Sequence, residues 1–388
     1  MKSGNSVLSS YGTTIFEVMS RLAETHKAVN LGQGFPDGNG PADLVAEATR
    51  YLDTGWNQYP SMMGLPTLRQ AVAEHARRFY GLDVDWASEV MVTSGATEAL
   101  AACLFGLLEP GDEVVLFQPL YDSYVPIIRR AGAVPRFVSL RAPDWSFDPD
   151  ELRAAFGPRT KLVLINNPLN PAAKVWGWEE LSTLAELVQE HDCLAVCDEV
   201  YEHLVFDGRP HIPLMALPGM RDRTLRIGSA GKTFSLTGWK VGYVTGAPRL
   251  LQPVAKAHQF LTFTTPPNLQ HAVAFGLRKD DAYFHGLAAD MQAKRDRLTA
   301  GLRAAGLTVL PAQGTYFVTA DIGHTGLGEG DTEFCKRLTA EAGVTAIPVS
   351  AFFDQDPPGN LIRFCFCKKD ETLDEACRRL EGWFAARA

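Results

Sequence analysis

The stretch Thr224–Gly246, TLRIGSAGKTFSLTGWKVGYVTG, sets two short apolar runs on either side of a polar turn. The runs TLRIG (224–228) and VGYVTG (241–246) read as strands. Between them Ser229 stands three residues before Lys232, hydroxyls and a glycine follow, and the turn closes on a second cation, Lys240. An amine attacks a carbonyl only when deprotonated, so a nucleophilic lysine needs burial or a neighbouring positive charge. Lys240 would supply that charge while pairing with a phosphate. A surface turn with two solvated lysines is the competing reading. The GKT triplet suggests a P-loop, but that motif needs a glycine five residues before Gly231, and Arg226 stands there. The nucleotide-triphosphatase reading fails.

Outward from this turn the pattern repeats. Further strand candidates are EVMVT (89–93), EVVLF (113–117), KLVLI (161–165) and CLAVC (193–197). Amphipathic stretches separate them, such as 96–108 and 178–191. Continuous apolar strands alternating with helices predict an α/β fold with a mostly parallel sheet covered on both faces. Ligands of such a sheet bind beyond the carboxyl ends of its strands. The C-terminal part differs. A helical stretch (281–306), a hairpin-like pair (307–322), a helix (332–342), VTAIPVS, LIRFCFC and a final helix suggest a smaller α+β domain. The helix FEVMSRLAETH and the segment up to about residue 35 join that small domain in this reading, and QGFPDGNGP (33–41) is a linker or binding loop. The expected division is a large cofactor-binding domain at 40–285 and a small domain from 1–39 plus 286–388.

The 388 residues carry a net charge of -8, with no basic run, which excludes nucleic acid as a partner. No apolar stretch approaches the roughly 20 residues needed to span a bilayer, so no membrane partner is expected. The N-terminal MKSGNSVLSSYGTTIF lacks an apolar signal core. The seven cysteines are scattered without metal-ligand spacing, which favours free thiols over a metal site and a reduced, cytoplasmic protein. Cys365 and Cys367 share one face of a strand candidate.

Several strand ends carry polar residues. Ser94, Gly95, Ala96 and Thr97 mark a strand-to-helix junction whose backbone N–H groups suit an anion, or simply an N-cap. INNPLNP (165–171) and CDEVYEHL (197–204) end two more strands. Asp198 suits a pyridinium proton and Tyr201 a phenolate oxygen, with a plain helix cap as the alternative. Arg363 sits inside the apolar run LIRFCFC, and a buried arginine should meet a carboxylate, from a substrate or from the protein.

Together, SAGKTFSLTGWK, the DEVY turn, NNPLNP, SGATEAL and the late Arg363 resemble the fold-type I, pyridoxal-phosphate-dependent aminotransferases of class I/II. The resemblance runs over nearly the whole chain. YGTTIFEVMSRLAETHKAVNLGQGFPD, NQYPSMMGLPTLRQA, QPLYDSYVP and LIRFCFCKKD bring it to the kynurenine and methionine aminotransferase branch, with the bacterial methionine enzymes nearest.

The resemblance implies pyridoxal 5'-phosphate (PLP) as cofactor, held covalently by Lys232, which then moves the donor's Cα proton. It implies Asp198 at the ring nitrogen, and Tyr201 and Asn170 at the ring's phenolate oxygen. Tyr121 matches the aromatic that stacks on the ring, with Tyr124 as the rival. Gly95, Ala96, Thr97, Ser229 and Lys240 match the phosphate site, which Tyr59 of a neighbouring subunit would reach, so a homodimer with shared sites is implied. Arg363 would clamp the substrate carboxylate beside Asn170 and the backbone of Gly34, and Phe16 and Phe263 would form an apolar side-chain pocket.

The chain departs from the family in places. Asn167, Leu169 and Ala173 replace the usual Thr, His and Gly around Asn170, and Thr264 stands where some kynurenine enzymes carry His. The expected activity is transfer of the amino group of methionine, phenylalanine or possibly kynurenine to a 2-oxo acid, with β-lyase activity on cysteine S-conjugates as the alternative.

Overall fold

The computed structural model describes residues 2–325 and 330–387. The strands are β1 (Val29–Asn30), β2 (Val90–Thr93), β3 (Glu113–Gln118), β4 (Val134–Ser139), β5 (Thr160–Asn166), β6 (Leu194–Asp198) and β7 (Thr224–Ser229). They continue as β8 (Gly242–Gly246), β9 (Thr308–Val309), β10 (Phe317–Asp321), β11 (Val344–Thr345), β12 (Ile347–Pro348) and β13 (Leu361–Cys365).

The large sheet has seven strands in the order β2-β8-β7-β6-β5-β3-β4. β8 runs antiparallel to both its neighbours, while the other recorded pairings are parallel. Every residue of β2, β3, β7 and β8 is buried, which explains their uninterrupted apolar reading. β4 lay outside the strand candidates. It is one of the two edge strands, and its sequence VPRFVS mixes exposed and half-buried positions with a proline, so its apolar signal is diluted. VGYVTG follows β7 after a connection that holds only the short helix Ala230–Thr233 and the 3-10 turn Thr237–Trp239, and β8 returns antiparallel beside β7.

A four-stranded antiparallel sheet, β12-β13-β10-β9, and the parallel pair β1-β11 make up the rest. The hairpin-like reading of 307–322 matches the pairing of β9 with β10. VTAIPVS divides into β11 and β12, which pair with different strands. LIRFCFC is a strand only to Cys365, although Phe366 N–H still donates to the Tyr316 carbonyl at 2.9 Å. The helix expected at 332–342 is α-helical at Asp331–Arg337 and widens to a π-turn at Leu338–Ala342.

The sequence-based division puts the seven-stranded sheet in 40–285 and both small sheets in the remainder. The 285/286 boundary falls inside the helix Asp281–Ala304, and the outer ranges include Met1, 326–329 and Ala388, which lie outside the described residues. The N-terminal segment is tied to the C-terminal strands. Cys365 N–H donates to the Leu31 carbonyl at 2.7 Å, and Lys368 Nζ to the Phe35 carbonyl at 2.7 Å. Among the described residues no helix is long and apolar enough to cross a membrane.

Candidate active site

The carboxyl ends of β5, β6 and β7 deliver Asn166, Asp198 and Ser229 to one chamber of about 380 Å³. Gly34, Gly95, Ala96, Thr97, Tyr121, Asn170, Tyr201, Lys232, Lys240, Phe16 and Arg363 also line it. Residues expected from segments spread between Phe16 and Arg363 therefore converge, and the solvated-turn reading of Lys232 fails.

One end of the chamber suits a phosphate. The helix Gly95–Leu107 begins there, and no side chain caps its first N–H groups. Gly95 has φ +77° and an added Cβ would lie 3.3 Å from Lys240 Cε, so only glycine lets the helix start this close to that cation. Ser229 caps the short helix Ala230–Thr233, its Oγ accepting from Gly231 N–H at 3.2 Å and keeping its own proton for a ligand.

Lys232 lies in that short helix. Burial holds its amine below the ordinary lysine range; the Cys367 and Cys365 thiols and Asp198 oppose this, and Lys240 adds the smallest push in the same direction as burial. The pKa effect first given to Lys240 thus belongs mainly to desolvation. Lys232 Nζ donates to Tyr316 Oη at 2.7 Å, and Tyr316 donates to the Gly34 carbonyl at 2.5 Å. A Cβ on Gly34 would lie 2.6 Å from Phe317 Cζ, so the loop reaches this contact because the residue has no side chain.

Asp198 is buried, which raises its carboxyl to about 6; Tyr124 and the Val200 N–H oppose the rise. Tyr124 Oη donates to Asp198 Oδ2 at 2.6 Å. No helix follows Asp198, so the helix-cap alternative for it is removed. Tyr201 sits with its ring 5.7 Å from Lys232 Nζ, and burial pushes its phenol upward.

At the far end Arg363 is buried. Its Nη1 donates to Asn170 Oδ1 at 2.7 Å and its Nη2 to the Gly32 carbonyl at 2.9 Å, while Nε has no partner. Gly34, expected beside this clamp, lines the same chamber, and its carbonyl accepts from Tyr316. Among the described residues no protein carboxylate forms an ion pair with Arg363, and burial lowers its guanidinium to about 10. The rings of Phe317, Phe352 and Phe16 surround it at 3.8, 4.9 and 5.4 Å. A ligand carboxylate fits an arginine placed this way.

Tyr59 and Phe263 do not line this chamber. They pack edge-to-face on each other, with ring centroids 5.5 Å apart, and are 80% and 41% exposed. His75, Glu202 and His203 bring possible metal ligands within 4.8 Å of one another. The two imidazoles are hydrogen-bonded at 2.7 Å and Glu202 is paired with Arg226, so these donors are spent on one another.

Sequence reading missed Tyr316, Asn166 and the part played by Tyr124. Tyr124 stood in the quoted QPLYDSY as a packing residue, and it is both packed and bonded to Asp198. Tyr316 carries no local signal, because the hairpin that holds it reads as apolar strand.

The Aminotransferase class I and II family model matches residues 26–380. The chain is 46% identical over 382 residues to the probable N-succinyldiaminopimelate aminotransferase DapC of Mycobacterium tuberculosis, covering 95% of this chain and 96% of that one. It is 41% identical over 375 residues to the methionine aminotransferase of Escherichia coli, covering 97% of each. The solved structure of the Escherichia coli methionine aminotransferase YbdL superposes with a TM-score of 0.95, at 40% identity over 98% of this chain and 100% of that one. The chain therefore belongs to the class I and II aminotransferases, fold-type I enzymes that work with PLP.

Proposed function

We propose that the enzyme moves the amino group of a large apolar or aromatic L-amino acid, methionine and phenylalanine foremost and kynurenine among the candidates, to a 2-oxo acid. The observation that carries this reading is Arg363, buried among Phe16, Phe317 and Phe352 with its Nε unpartnered. One cation in an aromatic wall suits a donor with one carboxylate and an apolar side chain. The reaction is ping-pong in this proposal, the donor's oxo acid leaving before the acceptor enters the same chamber.

Bound PLP supplies an aldehyde and an electron-accepting ring. Gly95, Ala96, Thr97, Ser229 and Lys240 would hold its phosphate, Tyr121 its ring face, and Asp198 its ring nitrogen. Tyr124 orients Asp198 and, as a donor, favours the carboxylate form that a pyridinium needs. Asn170 Oδ1 is committed to Arg363, which leaves Nδ2 to donate beside Tyr201 toward the ring oxygen. Lys232 Nζ takes and returns the proton at the donor's Cα. Phe16 limits the side-chain end of the chamber.

Tyr59 and Phe263, exposed here, are proposed to complete the site of a second copy, so the working unit is a homodimer. The seven free thiols favour a cytoplasmic location. The relative with 46% identity gives N-succinyldiaminopimelate as a second donor reading. The named relatives are aminotransferases, which does not favour the β-lyase alternative.

Half-reaction spectra of the loaded enzyme with methionine, phenylalanine, kynurenine, glutamate and N-succinyldiaminopimelate decide among these. Conversion fastest with the first three supports the proposal. A preference for the succinylated donor replaces it, and no conversion by any donor ends it.

A further inference from the structure

Two buried thiols lie behind the chamber, next to residues that line it, and the transamination chemistry leaves them idle. Arg363, Cys365 and Cys367 alternate with Phe364 and Phe366, so the clamp and both sulfurs lie on one side of an extended segment. The Sγ atoms of Cys365 and Cys367 are 3.2 Å apart. Both residues are buried, and cations surround them. Lys368 follows directly, and Arg363 precedes. On the other side is Lys232, on which the two thiols exert the strongest charge effects of any neighbour, Cys367 first. Burial pushes both thiols up. For Cys365 the Cys367 S–H and the charges of Lys368 and Arg363 outweigh it and bring the thiol below its ordinary value, while Cys367 stays well above. Of the two, Cys365 is the more readily ionised thiol.

We propose that Cys365 and Cys367 are an oxidisable dithiol, closed to a disulfide by a small hydroperoxide, and that closure disables the adjoining site. The Cys365 thiolate attacks one peroxide oxygen; an S–O bond forms, the O–O bond breaks, and the leaving oxygen departs as an alcohol or water after taking a proton. The Cys367 sulfur then attacks the resulting sulfenic acid; the S–S bond forms, the S–O bond breaks, and water leaves. Two thiols lose two electrons and the peroxide gains them.

The consequence for activity is geometric. Sulfurs 3.2 Å apart must close to about 2 Å. Residues two apart in an extended chain have Cα atoms about 6.6 Å apart, near the upper limit for a disulfide, so closure puckers the segment. Cys365 N–H is bonded to the Leu31 carbonyl and Arg363 to the adjacent Gly32 carbonyl, so the clamp moves with it. A misplacement of about 1 Å costs up to about 10²-fold in rate.

The inference rests on the aminotransferase reading only for its activity readout. Holoenzyme is exposed to a small excess of hydrogen peroxide, alkylated under denaturing conditions, and digested with trypsin. The peptide Phe364–Lys368 carries both thiols and no other cysteine. It should appear unalkylated and two hydrogens lighter than the dithiol, while transamination falls by about tenfold or more and returns with dithiothreitol. In Cys367→Ala the ratio of treated to untreated activity should stay within about twofold of unity. Two alkylated thiols after treatment, a disulfide without loss of activity, or a loss that dithiothreitol leaves in place would each overturn the proposal. If the untreated enzyme transfers no amino group, the functional reading has failed, and the peptide mass still decides whether the dithiol closes.

Discussion

Asp198 and Tyr124 show how one hydrogen bond sets a working pH. Burial raises the Asp198 carboxyl from 3.8 to about 6, so the folded apoenzyme holds this proton more tightly than the unfolded chain does. Ionising Asp198 therefore costs stability, nothing below pH 3.8, increasingly between 3.8 and 6, and about 3 kcal/mol in full above that. Asp198→Asn should raise the melting temperature of the apoenzyme at pH 8 and lose most of that advantage at pH 4.5; equal gains at both pH values in differential scanning calorimetry would contradict this. The same variant should lose turnover, because a neutral amide leaves a ring cation uncompensated. Tyr124→Phe removes a donor that favours the carboxylate. The acid limb of the kcat/KM profile should move to higher pH by about half a unit or more, with the greatest loss below pH 7. An unmoved acid limb would make Tyr124 a packing residue only. At Lys232, replacement by alanine should leave cofactor bound and lower kcat by about 10³-fold or more, read together with loss of the absorbance of the covalently held cofactor.

The elements that deliver these residues are short. Asn166, Asp198 and Ser229 each end a strand, and the seven-stranded sheet sets the three ends side by side. Their apolar runs made β5, β6 and β7 legible, since strands buried on both faces carry an uninterrupted signal. β4 was not legible, because an edge strand with a proline mixes exposed and buried positions. Tyr316 was hidden for another reason: its bond to Lys232 spans 84 residues, and no local pattern encodes such a meeting. Tyr124 was visible but misweighted, because aromatic packing and a hydroxyl bond leave the same mark in sequence. At the phosphate end the decisive feature is the helix start at Gly95. Gly95→Ala forces a side chain into a left-handed backbone at 3.3 Å from Lys240. It should destabilise the protein by about 1 kcal/mol and weaken PLP binding by tenfold or so, measured by cofactor titration. Unchanged affinity would move the phosphate elsewhere.

At the scale of the whole molecule, the proposed homodimer would cover the exposed rings of Tyr59 and Phe263. A concentration-dependent mass by sedimentation velocity should double from that of one chain, and Tyr59→Ala with Phe263→Ala should lower PLP affinity in the dimer while the chamber residues stay intact. A monomer with full activity would remove these two residues from the site. Arg363 belongs to the same scale, because it is bonded to Asn170 across 193 residues and to Gly32 across 331. Arg363→Lys keeps a charge but loses the fork, and should cut kcat/KM for apolar donors by roughly 10²-fold. Those separations also order events during synthesis. A ribosome has made Gly95, Asp198 and Lys232 long before it reaches Arg363, so the residues proposed to hold the cofactor emerge well before the one proposed to hold the substrate.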